Sequence, residues 1–415
     1  MPLPVRLPAP FLRLAWSNLA AQSAEQIALV AAPIVAVVAL GAGEAESGLL
    51  QIALTLPFLL FALPAGLLAD RVARPRLMAC AEALRAVSLV SIGLLLGAGQ
   101  LSLWLLALLG FVGAGATVIY SVAAPALVPA LVPPALLSTA NARVELARTL
   151  AFTAGPALGG ALVGWTGAGL AFGLAAALSG MAFILLSGLR EEPRPAPPRR
   201  HPLCEVADGI AFVARHPLLR PVLLTQFLFN AAFFVLVAAF FPYAVRHLGL
   251  DASEIGLIFA VDGAGMVLGA LLAPSILKRL TFGLVVGTGP LSGLLGSVCV
   301  ALTIWYPTPL LAALGFFLFG IGPILWVIST TTLRQAVTPR ELLGRVSAVS
   351  VLTQGARPLG AGLGALVGGM FGAEACLLLA AIGFAAQALV LWTSPAFGLA
   401  RQPAMIDEIL PAAGS

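Results

Sequence analysis

The feature that most constrains this chain is a succession of long apolar runs, separated by short stretches that carry charges or prolines. Hydrophobic residues make up 60% of the 415 residues and charged residues only 9%, against roughly 25% charged in an ordinary soluble domain. A run of about 20 apolar residues is long enough to cross a bilayer as a helix. The sequence therefore predicts an all-α, polytopic membrane protein.

The apolar runs predict twelve membrane-spanning helices, at residues 15–40, 48–69, 77–96, 101–128, 144–165, 169–189, 221–244, 255–277, 282–305, 310–332, 346–371 and 375–394. The longest non-apolar stretch follows the sixth run. It predicts that the chain is divided into three parts. They are a six-helix bundle at 1–190, a linker at 191–220 and a second six-helix bundle at 221–415. The linker is expected to hold a short interfacial helix, because Val206, Ile210 and Val213 share one helical face.

Arginine distribution predicts the orientation. If the N-terminus lies in the cytoplasm, Lys278 and nearly all loop arginines fall inside, whereas Arg246 falls outside. The preference for arginine over lysine, with abundant alanine and glycine, suggests a GC-rich bacterium. We therefore expect a multi-pass protein of the inner membrane with both termini in the cytoplasm.

Several classes of function are disfavoured by what the sequence lacks. No nucleophile–base arrangement, metal-ligand cluster or phosphate-binding loop is evident, so we expect neither an enzyme nor a cofactor, bound metal or nucleotide-driven pump. The positive charge lies in loops and does not suggest nucleic acid. The cysteines are isolated and are expected to be small core residues; they are Cys80, Cys204, Cys299 and Cys376.

The turn after the second run carries a recognisable motif. Gly66 is followed by Asp70, Arg71 and Arg74 before the next apolar run begins. This pattern resembles the signature loop between helices 2 and 3 of the major facilitator superfamily. The resemblance implies that the loop latches the cytoplasmic side, and Gly66 is expected to let two helices approach closely. The alternative is a topology anchor with no part in gating.

The two halves of the chain repeat each other, as expected for that superfamily. Gly155, Gly159 and Gly164 recur at one offset as Gly360, Gly364 and Gly369. The superfamily layout implies two pseudo-symmetric six-helix bundles, alternating access and a substrate site between the halves near the membrane midplane.

The fifth run contains Gly155, Pro156, Gly159 and Gly160 in the pattern Gly-Pro-x-x-Gly-Gly. Proline removes a backbone donor and kinks the helix, and the glycines leave a closely packing face. The pattern resembles the helix-5 motif of proton-coupled exporters in the superfamily. A kinked packing helix without meaning for direction is the alternative.

Charges inside the membrane are costly and tend to be functional. Glu25 shares one face of the first span with Asn18 and Gln22, and it is the first candidate for proton coupling. Asp262 in the eighth span is the second candidate. Either carboxylate has the alternative of a purely structural hydrogen bond or ion pair.

The repeat places a second polar stripe on the seventh span, opposite the first. The predicted substrate cavity is lined by Asn18, Gln22, Gln226, Asn230, Phe233, Gln354 and Arg357. Arg357 has two open roles, binding an anionic substrate or neutralising an acid. Two further charge groups at helical spacing are expected to form ion pairs, locally or at the interface, with a structural or a gating role; they are Glu82 with Arg85, and Arg143, Glu145 and Arg148.

Three stretches resemble one branch of the superfamily, which contains the enterobactin exporter, macrolide-efflux-type proteins and transmembrane secretion effector-like proteins. They are residues 23–27, residues 132–141 followed by 155–160, and residues 205–220 with Arg215-His216-Pro217. The resemblance implies proton antiport that exports a small amphiphilic or hydrophobic compound, drug-like or siderophore-like, by a protein acting as a monomer in the bilayer. The alternatives are an uncoupled or importing transporter of a metabolite or lipid, and a non-transporting sensor on the same fold.

Overall fold

The structure, a computed structural model, describes residues 7–133, 136–191, 202–339, 342, 346, 349 and 353–403. A few side chains within the described helices, that of Asp70 among them, lie outside the described part. The described residues form helices and the turns between them, without a strand.

The long helices are α1 (Ala9–Val38), α2 (Glu44–Arg71), α3 (Arg74–Gly97), α4 (Leu103–Leu131), α5 (Leu137–Thr166), α6 (Ala168–Ser187), α8 (Leu219–Arg246), α9 (Ala252–Arg279), α10 (Phe282–Leu302), α11 (Pro309–Val337) and α12 (Ala356–Trp392). A shorter helix, α7 (Pro202–Arg215), precedes α8, and a 3₁₀ turn, Thr353–Gly355, precedes α12.

The helix lengths match a bilayer. Helices of 20 to 30 residues reach about 30 to 45 Å at the usual rise per residue, and eleven segments of the described chain are long and apolar enough to cross a membrane. The last segment, Thr353–Trp392, has 40 residues and is broken at Gly372 (φ 85°, ψ 173°), a conformation that essentially only glycine adopts. It supplies two spans, so the prediction of an all-α protein with twelve spans is confirmed.

Gly66 has no close helix contact among the described residues. A Cβ placed there would meet none of their atoms within 4 Å, so the expected close approach is not found in the described part of the chain. The helix α2 packs on α4. At this contact the small residues are glycines of α4. Gly110 lies against Leu54, and Gly115 lies against the ring of Phe61.

The described residues fall into two compact units. One is drawn from Met1–Pro198 with Gly249–Ala260, and the other from Arg199–Leu248 with Val261–Ser415. In the first unit, α1 packs on α5 and α6, and α3 packs on α4 and α6. The three-part domain division drawn from the sequence stays a prediction.

The second unit is built around the contact between α8 and α12, with α10 packed on α11 and α12. A Cβ at Gly360 would collide with the carbonyl group of Ala231, so α12 and α8 touch backbone to backbone there. Phenylalanine rings fill the space beside this contact. Phe233 stacks on Phe229 with ring centroids 5.7 Å apart and lies 5.4 Å from the centroid of Phe319.

A short helix, α7, lies within the predicted linker; its position at the membrane interface stays a prediction. Val213 is buried against the start of α8, whereas Ile210 on the same helix is exposed. The side chain of Val206 lies outside the described part. One face of this amphipathic helix thus packs on the bundle, and the other face is exposed.

Large apolar side chains also cover the outside of the first unit. Leu94 and Ile184, for example, are 70% exposed, which a soluble protein would tolerate poorly over a wide surface. Trp104 begins α4 and Trp165 ends α5, and both are strongly exposed. Tryptophans at helix ends are typical of membrane–water interfaces, so this surface fits contact with lipid.

Candidate functional site

The polar stripe predicted on α1 is divided between two environments. Asn18 is buried, and its Nδ2 donates to the Val144 carbonyl of α5 at 3.3 Å. Gln22 and Glu25 lie further along α1 and are half-buried. The structure therefore commits one polar residue of the stripe to helix packing and leaves the other two partly accessible.

The helix-5 motif packs directly against the turn of α1 that follows Glu25. A Cβ at Gly155 would lie 2.5 Å from the Cβ of Gln26, and one at Gly159 would lie 3.0 Å from the Ile27 carbonyl oxygen. Only glycine allows α5 to come this close. Two features that the sequence presents separately are therefore neighbours in the fold.

Another face of the same motif contacts the first turns of α9, which belong to the first unit. A Cβ at Gly160 would lie 2.5 Å from the Cα of Gly256. Gly164, one turn on, faces Ser253. The α5 glycines thus allow close approach of two different helices.

Gln26 is a polar residue at this contact that the sequence analysis missed. It is buried, and its Nε2 has no hydrogen-bond partner among the described residues. Its position beside Glu25 in the sequence was the only available signal. A buried amide donor without a partner is costly, which makes Gln26 a candidate for a role beyond packing.

A buried ion pair lies in the core of the first unit. Arg85 and Glu82 of α3 are 3% and 0% exposed, and Arg85 Nη2 is 3.2 Å from Glu82 Oε1. Arg85 Nη1 also donates to the Ala21 carbonyl of α1 at 2.9 Å. The predicted pairing is confirmed. The sequence did not predict that both side chains are buried. Because Ala21 lies one turn before Glu25, Arg85 contacts α1 one turn before the first proton-coupling candidate.

In the second unit, two predicted cavity residues bind each other. Arg357 Nε donates to Asn230 Oδ1 at 3.0 Å, and Asn230 Nδ2 donates to the Gln226 carbonyl at 2.9 Å. The Arg357 guanidinium lies over the Phe234 ring, 5.5 Å from its centroid, a cation–π geometry. Phe234 was not among the predicted site residues, because the repeat pointed to its neighbour Phe233.

The remaining predicted cavity residues have different surroundings. Phe233 is half-buried and belongs to the aromatic cluster with Phe229 and Phe319. Gln354 is half-buried within the 3₁₀ turn that leads into α12. Their roles in binding a substrate stay predictions.

Asp262, the second proton-coupling candidate, lies on α9 and is half-buried. Its backbone carbonyl faces Gly320 of α11, where a Cβ would collide with it. No described side chain forms a hydrogen bond or an ion pair with the Asp262 carboxylate. Arg357, for which neutralising an acid was one of two expected roles, donates to Asn230.

The turn between α2 and α3 is held by a contact that the sequence did not indicate. Arg74 Nη1 lies 3.3 Å from Glu191 Oε1, and the Arg74 backbone N–H donates to Glu191 Oε2 at 2.9 Å. This attaches the start of α3 to the segment after α6. Arg71 is exposed, and the Asp70 side chain lies outside the described part, so the latch stays a prediction.

The cysteines do not share one environment. Cys376 is buried and its Sγ donates to the Gly364 carbonyl at 3.4 Å, as expected of a core residue. Cys299 is half-buried, and the Cys204 side chain lies outside the described part. Cys80 is exposed, so the prediction was wrong there: it lines a cavity between the start of α3 and the end of α6.

The fold and these sites define a helical membrane protein with polar side chains placed within its bundles. The family model described as Major Facilitator Superfamily matches residues 14–360. The chain belongs to this superfamily and is a multi-pass membrane transporter.

Relatives of similar sequence are transporters too. The chain is 31% identical over 251 residues to the uncharacterized MFS-type transporter y4rN of Sinorhizobium fredii, an alignment that covers 58% of this chain and 60% of that protein's length. It is 28% identical over 288 residues to the enterobactin exporter EntS of Citrobacter koseri, covering 68% of this chain and 67% of EntS.

Solved structures show the same fold at low sequence identity. A POT family transporter in complex with 5-aminolevulinic acid has a TM-score of 0.76 at 13% identity, covering 94% of this chain and 97% of that one. The nucleoside transporter NupG has a TM-score of 0.69 at 16% identity, covering 92% of this chain and 98% of NupG. At such identities the likeness concerns the fold alone.

Proposed function

We propose that this transporter exports a small amphiphilic or hydrophobic compound, of the drug or siderophore type, across the inner membrane of a bacterium. Proton antiport drives the export in this proposal, and the two bundles expose the substrate to each side in turn. The alignment with enterobactin exporters supports export and the substrate class. Both termini lie in the cytoplasm in this arrangement, as the arginine distribution predicts.

The position of Glu25 is the observation that carries the proposal. Its turn of α1 is followed directly by the residues that pack on Gly155 and Gly159 of α5. A carboxylate within the membrane is costly and is retained mainly where it serves a function. Gain or loss of a proton there changes the charge on α1 beside its closest contact with α5. Asp262, which no described side chain pairs, is the second carrier in the proposal.

Arg357 and Phe234 supply the substrate-binding chemistry. Asn230 Oδ1 accepts a hydrogen bond from Arg357 Nε and thereby orients the plane of the guanidinium. A guanidinium fixed in this way suits a carboxylate or an ionised phenol, and the neighbouring rings suit an aromatic group. We therefore expect a substrate that combines an acidic or phenolic group with an apolar body.

The test uses purified protein in proteoliposomes with an imposed pH gradient. Wild type is compared with Glu25→Gln and Asp262→Asn, and the compounds added are macrolides, lipophilic cations and catecholate siderophores. Glu145→Gln is the matched control, because Glu145 is an exposed carboxylate paired with Arg148 on the outside of α5. Proton movement and compound movement are recorded together.

The proposal expects that at least one compound moves protons with wild type and with Glu145→Gln. Glu25→Gln should lose this coupled proton movement. If wild type transports a compound equally well with and without the gradient, proton coupling is wrong and the uncoupled alternative replaces it. If wild type moves the compound inward against the expected direction, export is wrong.

A further inference from the structure

A cavity of about 910 Å³ lies in the first unit, beside the loop predicted to latch the cytoplasmic side. None of its lining residues is a candidate for proton coupling or substrate binding. It is enclosed by the turn between α2 and α3, the first turns of α3, and the end of α6 with the residues that follow it. Arg71, Arg76 and Arg190 line it, together with Phe183 and Cys80. Its volume lies in the range of sites that bind small molecules.

The wall of this cavity is strongly positive. Arg76 and Arg190 are exposed and form no ion pair with any described side chain. Glu191, the carboxylate among the lining residues, is already bound to the side chain and the backbone of Arg74. The cavity therefore presents guanidinium groups to its contents, and planar guanidinium groups bind phosphate well through paired hydrogen bonds.

Exposed apolar side chains occur on the helix ends that border the cavity. Leu68, Val72 and Ile184 are exposed large side chains at the ends of α2 and α6, and Phe183 reaches the cavity itself. The arginines thus lie where apolar helix surface gives way to charged turns. In a membrane-spanning protein such a boundary is where lipid acyl chains are expected to meet their headgroups.

We propose that this cavity binds the phosphate headgroup of an anionic phospholipid, with Arg76 and Arg190 contacting the phosphate and the exposed apolar side chains contacting the acyl chains. Arginine distribution predicts that this face is cytoplasmic, and basic pockets on that side suit anionic lipids. The site ties together the start of α3 and the end of α6. It is separate from the transported compound and does not depend on its identity.

The first measurement is lipid binding by native mass spectrometry of the purified protein in detergent. Phosphatidylglycerol and phosphatidylcholine with identical acyl chains are titrated against wild type, Arg76→Gln, Arg190→Gln and the double variant. Each substitution should weaken phosphatidylglycerol binding about five-fold, and both together about thirty-fold. Phosphatidylcholine binding should change little.

Arg279→Gln is the matched control. Arg279 ends α9 as Arg71 ends α2, carries the same charge and is exposed, but it does not line the cavity. Its replacement should leave phosphatidylglycerol binding as in wild type. A similar loss with Arg279→Gln would mean that general surface charge attracts the lipid, and the proposal would fail.

Cys80 gives a second readout that leaves the arginines intact. In a variant with Cys204, Cys299 and Cys376 replaced by alanine, phosphatidylglycerol should slow maleimide labelling of Cys80, and phosphatidylcholine should not. Equal labelling with both lipids overturns the proposal. Protection by inorganic phosphate as strong as that by phosphatidylglycerol assigns the cavity to a soluble phosphate compound and overturns the lipid assignment.

Discussion

Removing Arg85 alone should destabilise the first unit strongly. The change Arg85→Met takes away the guanidinium that neutralises Glu82 and donates to the Ala21 carbonyl. A fully buried carboxylate is then left without its partner. Breaking a buried pair from one side costs about 3–5 kcal/mol of unfolding free energy. The measurement is unfolding of purified protein in mixed micelles by titration with dodecyl sulfate, followed by tryptophan fluorescence.

The double variant Glu82→Leu/Arg85→Met should recover most of that loss. Replacing both charges by apolar groups of similar volume removes the cost of desolvating them, and such replacements are often neutral or stabilising. A double-mutant cycle with Glu82→Leu should therefore give a coupling energy of at least about 2 kcal/mol. The Ala21 carbonyl lies inside α1, so a helical hydrogen bond can satisfy it when the Arg85 guanidinium is removed.

The exposed pair Glu145–Arg148 on α5 serves as the control. It has the same spacing of three residues as the buried pair, but both side chains reach solvent or lipid headgroups. Because an exposed pair contributes little, Arg148→Met should be close to wild type. If Arg85→Met proves as mild as Arg148→Met, or if the cycle gives no coupling, burial does not govern the energetics of the pair and the reasoning fails.

Three further predictions concern the backbone and one histidine. Gly360→Ala should lower the melting temperature, because its Cβ collides with the Ala231 carbonyl and overpacking costs about 1–3 kcal/mol; Gly173→Ala, at an open helical position, should be neutral or slightly stabilising. Gly372→Ala should cost about 1–2 kcal/mol in the same thermal assay, because φ is +85° there; an unchanged melting temperature would contradict the turn between the last two spans. Burial lowers the pKa of His216 from its ordinary 6.5, and its Nδ1 accepts the backbone N–H groups at the start of α8. Between the lowered pKa and 6.5 the unfolded chain binds more protons than the folded chain, so the stabilisation from neutral His216 is complete above pH 6.5. It is lost as the pH falls towards the lowered pKa. His216→Asn should flatten this dependence of the melting temperature on pH between about pH 5 and 7.

The prediction of the fold succeeded because membrane spans are encoded locally. A run of about 20 apolar residues must cross as a helix, since the bilayer core offers no hydrogen bonds to an unpaired backbone. Even the division of α12 into two spans was visible as two apolar runs, and Gly372 separates them in the structure. The short helix α7 was likewise predicted, from apolar side chains repeating on one helical face.

Local patterns also predicted which residues belong together when they lie on one helix. Glu82 and Arg85 form the ion pair expected from their spacing, and so do Glu145 and Arg148. The repeat between the halves drew attention to Asn230, which accepts a hydrogen bond from Arg357 in the structure; that the two residues line a substrate cavity stays a prediction.

What the tertiary structure decided were contacts between residues far apart in the chain. Whether Gly66 meets a helix, whether Glu82 is buried, and which acid binds Arg74 depend on packing that no spacing reveals. The sequence by itself determined that this chain is a helical membrane protein and where it crosses, because hydropathy and length act residue by residue. Only the folded bundles decided which charges are neutralised and which line an open cavity, because burial and distance are properties of the assembled helices.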